Sequence, residues 1–153
     1  MQILLHNQEL LLISISMGLV LSFIFSEFLG ITAGGLIVPG YMALFVTNPL
    51  TIAVTLALSF ITYFVVHSLS TFLIIYGRRR TILMILFGFI FGVAARLILQ
   101  ELTPGIDVVG FIIAGLIAIW IDRQGIVETY SSLITSSIII RLLLIIFMEE
   151  TLI

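Results

Sequence analysis

The chain has 153 residues, a net charge of −2, 61% hydrophobic residues and only 9% charged residues. A soluble domain is nearer half apolar and a quarter charged, so this composition predicts a protein that lives in lipid. The length suffices for about five or six membrane-crossing segments and leaves no room for a soluble catalytic domain. The chain lacks lysine and cysteine, which excludes disulfides and thiol chemistry, and its six arginines provide no basic arm for nucleic acid.

Six apolar segments follow one another along the chain. They cover residues 10–29, 33–46, 50–76, 81–99, 108–121 and 126–148. The second and fifth have about 14 apolar residues each, or about 21 Å as helix, which is short against a bilayer core of about 30 Å. Both contain glycines that interrupt the apolar run. These two segments either cross as short helices or enter and leave on the same side.

A glycine pattern recurs at a constant offset of 75 residues. Its first copy is Gly30-Ile31, Gly35, Ile37 and Gly40, and its second copy is Gly105-Ile106, Gly110, Ile112 and Gly115. The repeat predicts an all-α protein with one integral membrane domain over residues 1–153 and three-segment halves at about 1–77 and 81–153. Because each half has an odd number of segments, the second half should be inverted in the membrane.

The glycine-broken segments are candidates for the working site. Irregular backbone inside a bilayer must be buried in protein or face water, and such breaks often line a functional path. The residues concerned are Gly34, Gly35, Pro39, Gly40, Gly110 and Gly115.

Small and polar residues mark two helix faces. In the first segment, small residues repeat every four positions at Ser14, Gly18, Ser22 and Ser26. This spacing predicts close helix packing, within one bundle rather than between subunits. In the third segment a polar face consists of Thr51, Thr55, Ser59, Thr62, Tyr63, His67 and Ser70. Either these hydroxyls bond back to their own helix, or the face lines a polar path or a groove between subunits.

The arginines predict the topology. Arg78, Arg79 and Arg80 should end the lipid-embedded stretch and face the cytoplasm. If all six segments cross, Arg123 lies on that side too, and both termini lie outside. If the second and fifth segments re-enter, Arg123 moves outside. The excess of arginine on one side favours six crossings.

Three charged residues fall within or near apolar segments: Glu27, Arg96 and Arg141. Arg141 has apolar runs on both sides, so it should have a carboxylate partner or face water. A structural ion pair is favoured over a bound anion. No lysine-containing phosphate loop exists, and two histidines are too few for a metal site. The chain is therefore expected to need no cofactor or metal and not to be catalytic alone.

Residues 27–41 resemble the signature of the CapC/PgsC family, small membrane subunits of bacterial poly-γ-glutamate synthesis complexes. Further similar motifs follow in the family's order: Asn48-Pro49, Thr62-Tyr63, Tyr76-Gly77-Arg78-Arg79 and Asp122-Arg123-Gln124-Gly125. The chain departs from the family where members tend to carry a second Val-Pro-Gly, since it has Ile113-Ala114-Gly115 there.

The resemblance implies a multi-pass protein of the bacterial cytoplasmic membrane. It implies a non-catalytic subunit that anchors a cytoplasmic Mur-ligase-like synthase, accompanies an export-linked subunit and helps to form the exit path of an anionic polymer. The candidate contacts with polymer or partner are Arg78, Arg79, Arg80, Arg123 and Gln124. An independent small transporter of an acidic metabolite is the alternative. Self-association of the chain in lipid stays open.

Overall fold

The structure, a computed structural model, describes the backbone of residues 2–102, 110 and 112–151, and the side chains of residues 8–101, 110 and 112–147. All regular structure in these residues is helical. The helices are α1 (Gln2–Leu29), α2 (Val38–Leu44), α3 (Pro49–Phe72), α4 (Arg78–Leu102), α5 (Ile113–Gln124) and α6 (Ile126–Thr151). The predicted all-α membrane protein with a short second and fifth segment is confirmed.

Four of these helices are long and apolar enough to cross a membrane. They are α1, α3, α4 and α6, with candidate spans Gln8–Leu29, Pro49–Phe72, Arg78–Glu101 and Ile126–Phe147. By contrast, α2 has 7 residues and α5 has 12, or about 10 and 18 Å of helix. As helices alone, α2 and α5 are too short to cross, so the favoured six-span arrangement needs non-helical chain in both segments.

The arginine triplet begins a helix rather than lying in a loop. Pro49 starts α3 after Asn48, as the sequence predicts, and α3 ends at Phe72. The chain then turns through residues 73–77, and Arg78 is the first residue of α4. The triplet therefore lies in the first turn of α4, whereas the sequence analysis places it between the third and fourth segments.

The chain forms two compact units. The first comprises Met1–Thr47 and Val127–Ile153, and the second comprises Asn48–Ile126. The first unit therefore holds α1, α2 and all of α6 but its first residue, while the second holds α3, α4 and α5. Each unit combines the first two helices of one predicted half with the third helix of the other.

Paired glycines bring two helices into backbone contact in each unit. In the first unit, a Cβ built on Gly18 of α1 would lie 2.8 Å from the Cα of Gly40 in α2. In the second, a Cβ on Gly88 of α4 would lie 2.5 Å from the Cα of Gly115 in α5. Any side chain at these points would overlap backbone, so Gly40 and Gly115 both lie where two helices approach closely.

Two further pairs of the repeated motif have matching backbone roles, whereas Gly105 and Ile106 lie outside the described residues. Gly35 and Gly110 both have positive φ, at 121° and 58°, a region that L side chains rarely adopt. Ile37 and Ile112 are the N-caps of α2 and α5, with nearly equal φ/ψ of −96°/−30° and −91°/−21°. The motif thus turns the chain, starts a helix and allows a close crossing, in that order.

The buried faces of α3 and α6 also correspond, at an offset of 78 residues. The buried residues of α3 are Thr51, Thr55, Ser59, Thr62 and Val66. Each has a buried counterpart in α6, and these are Thr129, Leu133, Ser137, Ile140 and Leu144. The structural repeat therefore extends to the third helix of each half.

The small and polar faces pack within the protein. Ser14 Oγ donates to the carbonyl of Gly40 at 2.6 Å, and Ser22 Oγ to that of Gly35 at 3.3 Å. In α3, Thr62 Oγ1 donates to the carbonyl four residues earlier at 2.7 Å, and Thr55 does the same at 2.9 Å. The packing interpretation of α1 and the back-bonding interpretation of α3 are confirmed at these residues.

Candidate functional site

A cavity of about 630 Å³ opens in the second unit where the start of α4 meets the end of α5. We call it the arginine cavity. Its lining residues are Tyr76, Gly77, Arg78, Arg80, Thr81, Ile82, Met84, Ile119, Asp122 and Arg123. It lies at one end of two antiparallel helices, because α4 and α5 cross at Gly88 and Gly115 and Arg80 lies beside Asp122.

Local backbone geometry positions both helix ends. Gly77 has a φ of 63°, and its carbonyl accepts the amides of Arg80 and Thr81 at 3.1 and 3.4 Å, which starts α4. Gly125, with a φ of 104°, ends α5, and its amide donates to the carbonyl of Ile121 at 3.0 Å. Glycine therefore ends the loop before α4 and follows the last residue of α5, and charged side chains from both helices share one cavity.

Arg80 links three helices. Its Nη2 forms a salt bridge with Oδ1 of Asp122 on α5 and donates to Nδ1 of His67 on α3 at 3.1 Å. Because arginine only donates, this contact makes Nδ1 of His67 the acceptor and puts the ring proton on Nε2. The side chains of Arg80 and Asp122 are 22% and 23% exposed. The Nε of Arg80 is buried and has no hydrogen-bond partner.

The other two cavity arginines are exposed. Arg123 lies over the ring of Trp120, with its Cζ 5.4 Å from the ring centroid, a cation–π contact that restrains the guanidinium. Among the described side chains, Arg80 forms an ion pair with Asp122 inside the cavity, whereas Arg78 and Arg123 form no ion pair. Three arginines against one carboxylate leave a formal charge of +2 on the lining.

This arrangement suits an anionic ligand. Met84 and Ile119 are buried and form an apolar wall beside the charged side chains. Such low-dielectric surroundings strengthen the electrostatic attraction between the arginines and an anion. Guanidinium groups bind carboxylates with two parallel hydrogen bonds. No group of three potential metal-ligating side chains occurs among the described residues.

The structure separates the remaining candidates. Arg79 is exposed but does not line the cavity, and Gln124 is half-buried as the last residue of α5. The ring centroid of Tyr63 lies 5.5 Å from that of His67. Both residues lie within the second unit, and of the two His67 contacts Arg80.

The intramembrane charges lie elsewhere. Glu27 and Arg96 are exposed, and Arg141 is half-exposed. The structural ion pair favoured for Arg141 is not found among the described side chains, which do not include those of Glu149 and Glu150. The glycines of the broken segments lie at turns and helix crossings, Pro39 lies in the first turn of α2, and none of these residues lines the cavity.

Sequence reasoning missed Asp122 and Trp120. Both stand in or next to the Asp-Arg-Gln-Gly motif, so the signal was present. Asp122 was named only as a member of that motif and not as a site residue, because nothing in the sequence sets its distance to Arg80.

The family of the chain follows from comparison with known proteins. The family model described as "Capsule biosynthesis CapC" matches residues 17–130, which include the whole arginine cavity. The chain belongs to this family. The family membership predicted from residues 27–41 is thereby confirmed. The family name assigns the chain a role in capsule biosynthesis.

Two curated CapC proteins are similar over most of their length. The "PGA biosynthesis protein CapC" of Bacillus subtilis (strain 168) is 38% identical over 127 residues, which cover 80% of this chain and 85% of the relative. The "Capsule biosynthesis protein CapC" of Bacillus anthracis is 36% identical over 135 residues, which cover 83% and 88%. No solved structure matches the chain.

Proposed function

We propose that this CapC protein is the non-catalytic, multi-pass membrane subunit of a bacterial poly-γ-glutamate synthesis complex. It anchors the ATP-dependent ligase at the cytoplasmic face and helps to form the polymer's exit path, together with an export-linked subunit. Family membership and the relatives' names support the pathway. The observation that carries the site is the arginine cavity, with three arginines against one carboxylate.

The salt bridge supports one topology. The positive-inside rule assigns Arg78, Arg79 and Arg80 to the cytoplasm. Arg80 contacts Asp122, so the end of α5, including Arg123, belongs on the same side. In this topology the fifth segment crosses the membrane of the bacterial cell, partly as the short helix α5. The cavity then opens toward the cytoplasm, where the ligase works.

The charge of the cavity fits what must pass or dock there. A polyglutamate chain carries a carboxylate on every residue and must cross a low-dielectric barrier, which requires a cation-lined entry. An acidic surface of the ligase would meet the same arginines. Both roles need exposed guanidinium groups, and Arg78 and Arg123 supply them.

Adjacent arginines provide a matched test of the site. Arg78 lines the cavity, whereas Arg79 does not, and both contribute equally to the positive-inside rule. We expect Arg78→Gln to lower polymer release, normalised to inserted protein, by about tenfold, since a charge-assisted hydrogen bond contributes about 1.5–3 kcal/mol. Arg79→Gln should retain wild-type output. Equal loss from both variants would leave only a topological role for the triplet.

Purification of the native complex separates the proposal from the transporter alternative. Under the proposal, the tagged wild-type chain extracted from its own membranes brings the ligase with it. A chain that purifies without a ligase, and moves glutamate across proteoliposome membranes by itself, would instead be an independent transporter of an acidic metabolite.

A further inference from the structure

The arginine cavity contains its own anion. Asp122 forms a salt bridge with Arg80 inside the lining, and His67 accepts a second hydrogen bond from the same Nη2 atom. The guanidinium of Arg80 is thus already engaged, while those of Arg78 and Arg123 are exposed to an incoming ligand. One arginine of the cavity, Arg80, already binds a carboxylate, and two, Arg78 and Arg123, are available to bind another.

The position of Asp122 works against ligand binding. A carboxylate in the lining repels a second carboxylate that enters the cavity and competes with it for Arg80. Removing this charge would raise the formal charge of the lining from +2 to +3. A conduction path requires binding that is favourable enough for entry yet weak enough for release. An internal acid is a simple way to hold the affinity of an arginine-rich entry below its maximum.

We propose that the arginine cavity binds a carboxylate-bearing segment of the polymer through Arg78 and Arg123, and that Asp122 is an internal competitor that keeps this binding weak and reversible. This inference rests on the proposed function, since it takes the polymer from there. It adds a named ligand contact and a named regulator of affinity.

The surrounding structure suits this role. A cavity of about 630 Å³ lies within the range of small-ligand sites, which is about 300–1,000 Å³, so it accommodates a short stretch of polymer. Trp120 restrains Arg123 from one side, which lowers the entropy lost when the guanidinium binds. His67 gives Arg80 a neutral partner that remains if Asp122 is exchanged for a ligand carboxylate.

The test measures affinity in the intact chain. The purified full-length protein in zwitterionic lipid nanodiscs is titrated with a fluorescent, γ-linked glutamate oligomer of defined length at fixed salt. We expect Asp122→Asn to lower the dissociation constant by about 3- to 10-fold, since one charge is removed from a partly screened site. Arg79→Gln removes a charge outside the cavity lining and is the matched control, with affinity within about twofold of wild type.

A second variant protects the test against misfolding of Asp122→Asn. Thr81 lines the cavity in the first turns of α4, and Thr81→Asp adds a carboxylate there, which should weaken binding by a similar factor. Arg78→Gln should also weaken it, and Arg79→Gln should not. Unchanged or weaker binding by Asp122→Asn, or unchanged binding by Thr81→Asp, would overturn the inference, as would a wild-type chain that binds no oligomer.

Failure here is distinguishable from failure of the proposed function. If the ligase co-purifies with the wild-type chain but the oligomer does not bind, the subunit role stands and the polymer contact falls. If the oligomer binds with the predicted order of affinities but no ligase co-purifies, the contact stands and the anchoring role falls.

Discussion

At the residue scale, the two exposed cavity arginines differ in the contacts that hold their side chains. Arg123 lies over Trp120, whereas Arg78 belongs to the first turn of α4. A planar guanidinium stacks on an aromatic face and grips a carboxylate with two parallel bonds, and an ammonium group does neither as well. Position 123 therefore distinguishes a specific contact from a simple positive charge.

We expect Arg123→Lys to lower polymer release clearly and Arg123→Ala to lower it further, because lysine keeps the charge but loses the planar fork. The measurement is polymer released per unit of inserted protein, with orientation checked in the same cells. The matched control is Arg79→Lys, at an exposed position outside the cavity, which should behave as wild type. Wild-type output from Arg123→Lys would leave Arg123 a topological role only.

The residues of the site were only partly predictable. The arginine asymmetry placed Arg78 and Arg123 on one side, because that prediction needs only the number of crossings. The pairing of Arg80 with Asp122 depends on how far α4 and α5 overlap, and the crossing at Gly88 and Gly115 sets that overlap. Periodicity within one helix carries no information about register between two helices.

At the scale of elements, glycine decides where helices cross. The crossing of α4 and α5 brings the Cα of Gly115 within 2.5 Å of a Cβ built on Gly88, and a Cβ built on Gly115 would lie 2.7 Å from the carbonyl oxygen of Met84. The nearest atoms are backbone, which cannot rotate away as a side chain can. Close approach of two backbones requires small residues, and glycine meets this requirement at both crossings. The lengths of α2 and α5 were less predictable, since apolar composition continues through turns such as Gly35 and Gly110.

Substitution at this crossing should destabilise the protein. We expect Gly115→Ala to lower the free energy of unfolding by about 1–3 kcal/mol, the usual cost of overpacking, and Gly115→Leu to abolish polymer release while inserted protein stays detectable. Thermal unfolding in detergent is the measurement. Ala94→Leu on the exposed face of α4 is the control and should leave the midpoint nearly unchanged. An unshifted midpoint for Gly115→Ala would mean that α4 and α5 do not approach closely.

At the scale of the whole molecule, the proposed membrane topology rests on few charges and is open to direct test. The chain has no cysteine, so a single introduced thiol is a clean reporter. Tyr76 and Val127 are each 75% exposed and uncharged, so replacing them leaves the arginine asymmetry intact. Tyr76 lines the arginine cavity just before α4, and Val127 follows the end of α5 outside the lining.

We expect Tyr76→Cys and Val127→Cys to react with an impermeant thiol reagent only from the cytoplasmic side, because the Arg80–Asp122 pair joins the two helix ends. Gln8→Cys, near the N-terminal end of α1, should react with the reagent from outside the cell and serves as the control. Labelling of Val127→Cys from outside would make the fifth segment re-entrant and would contradict the inverted halves.

The exchange of third helices between the units has a consequence for how the protein is made. The second unit, Asn48–Ile126, is continuous in sequence, whereas the first joins Met1–Thr47 to Val127–Ile153. A chain emerges from the ribosome N-terminal end first. The second unit can therefore fold before α6, which completes the first unit, has been made. The helix α1 is therefore made first but packs against α6 only after the rest of the chain has been made. A chain stopped before residue 127 would leave the buried faces of α1 and α2 open to membrane quality-control proteases, even though its second unit is whole.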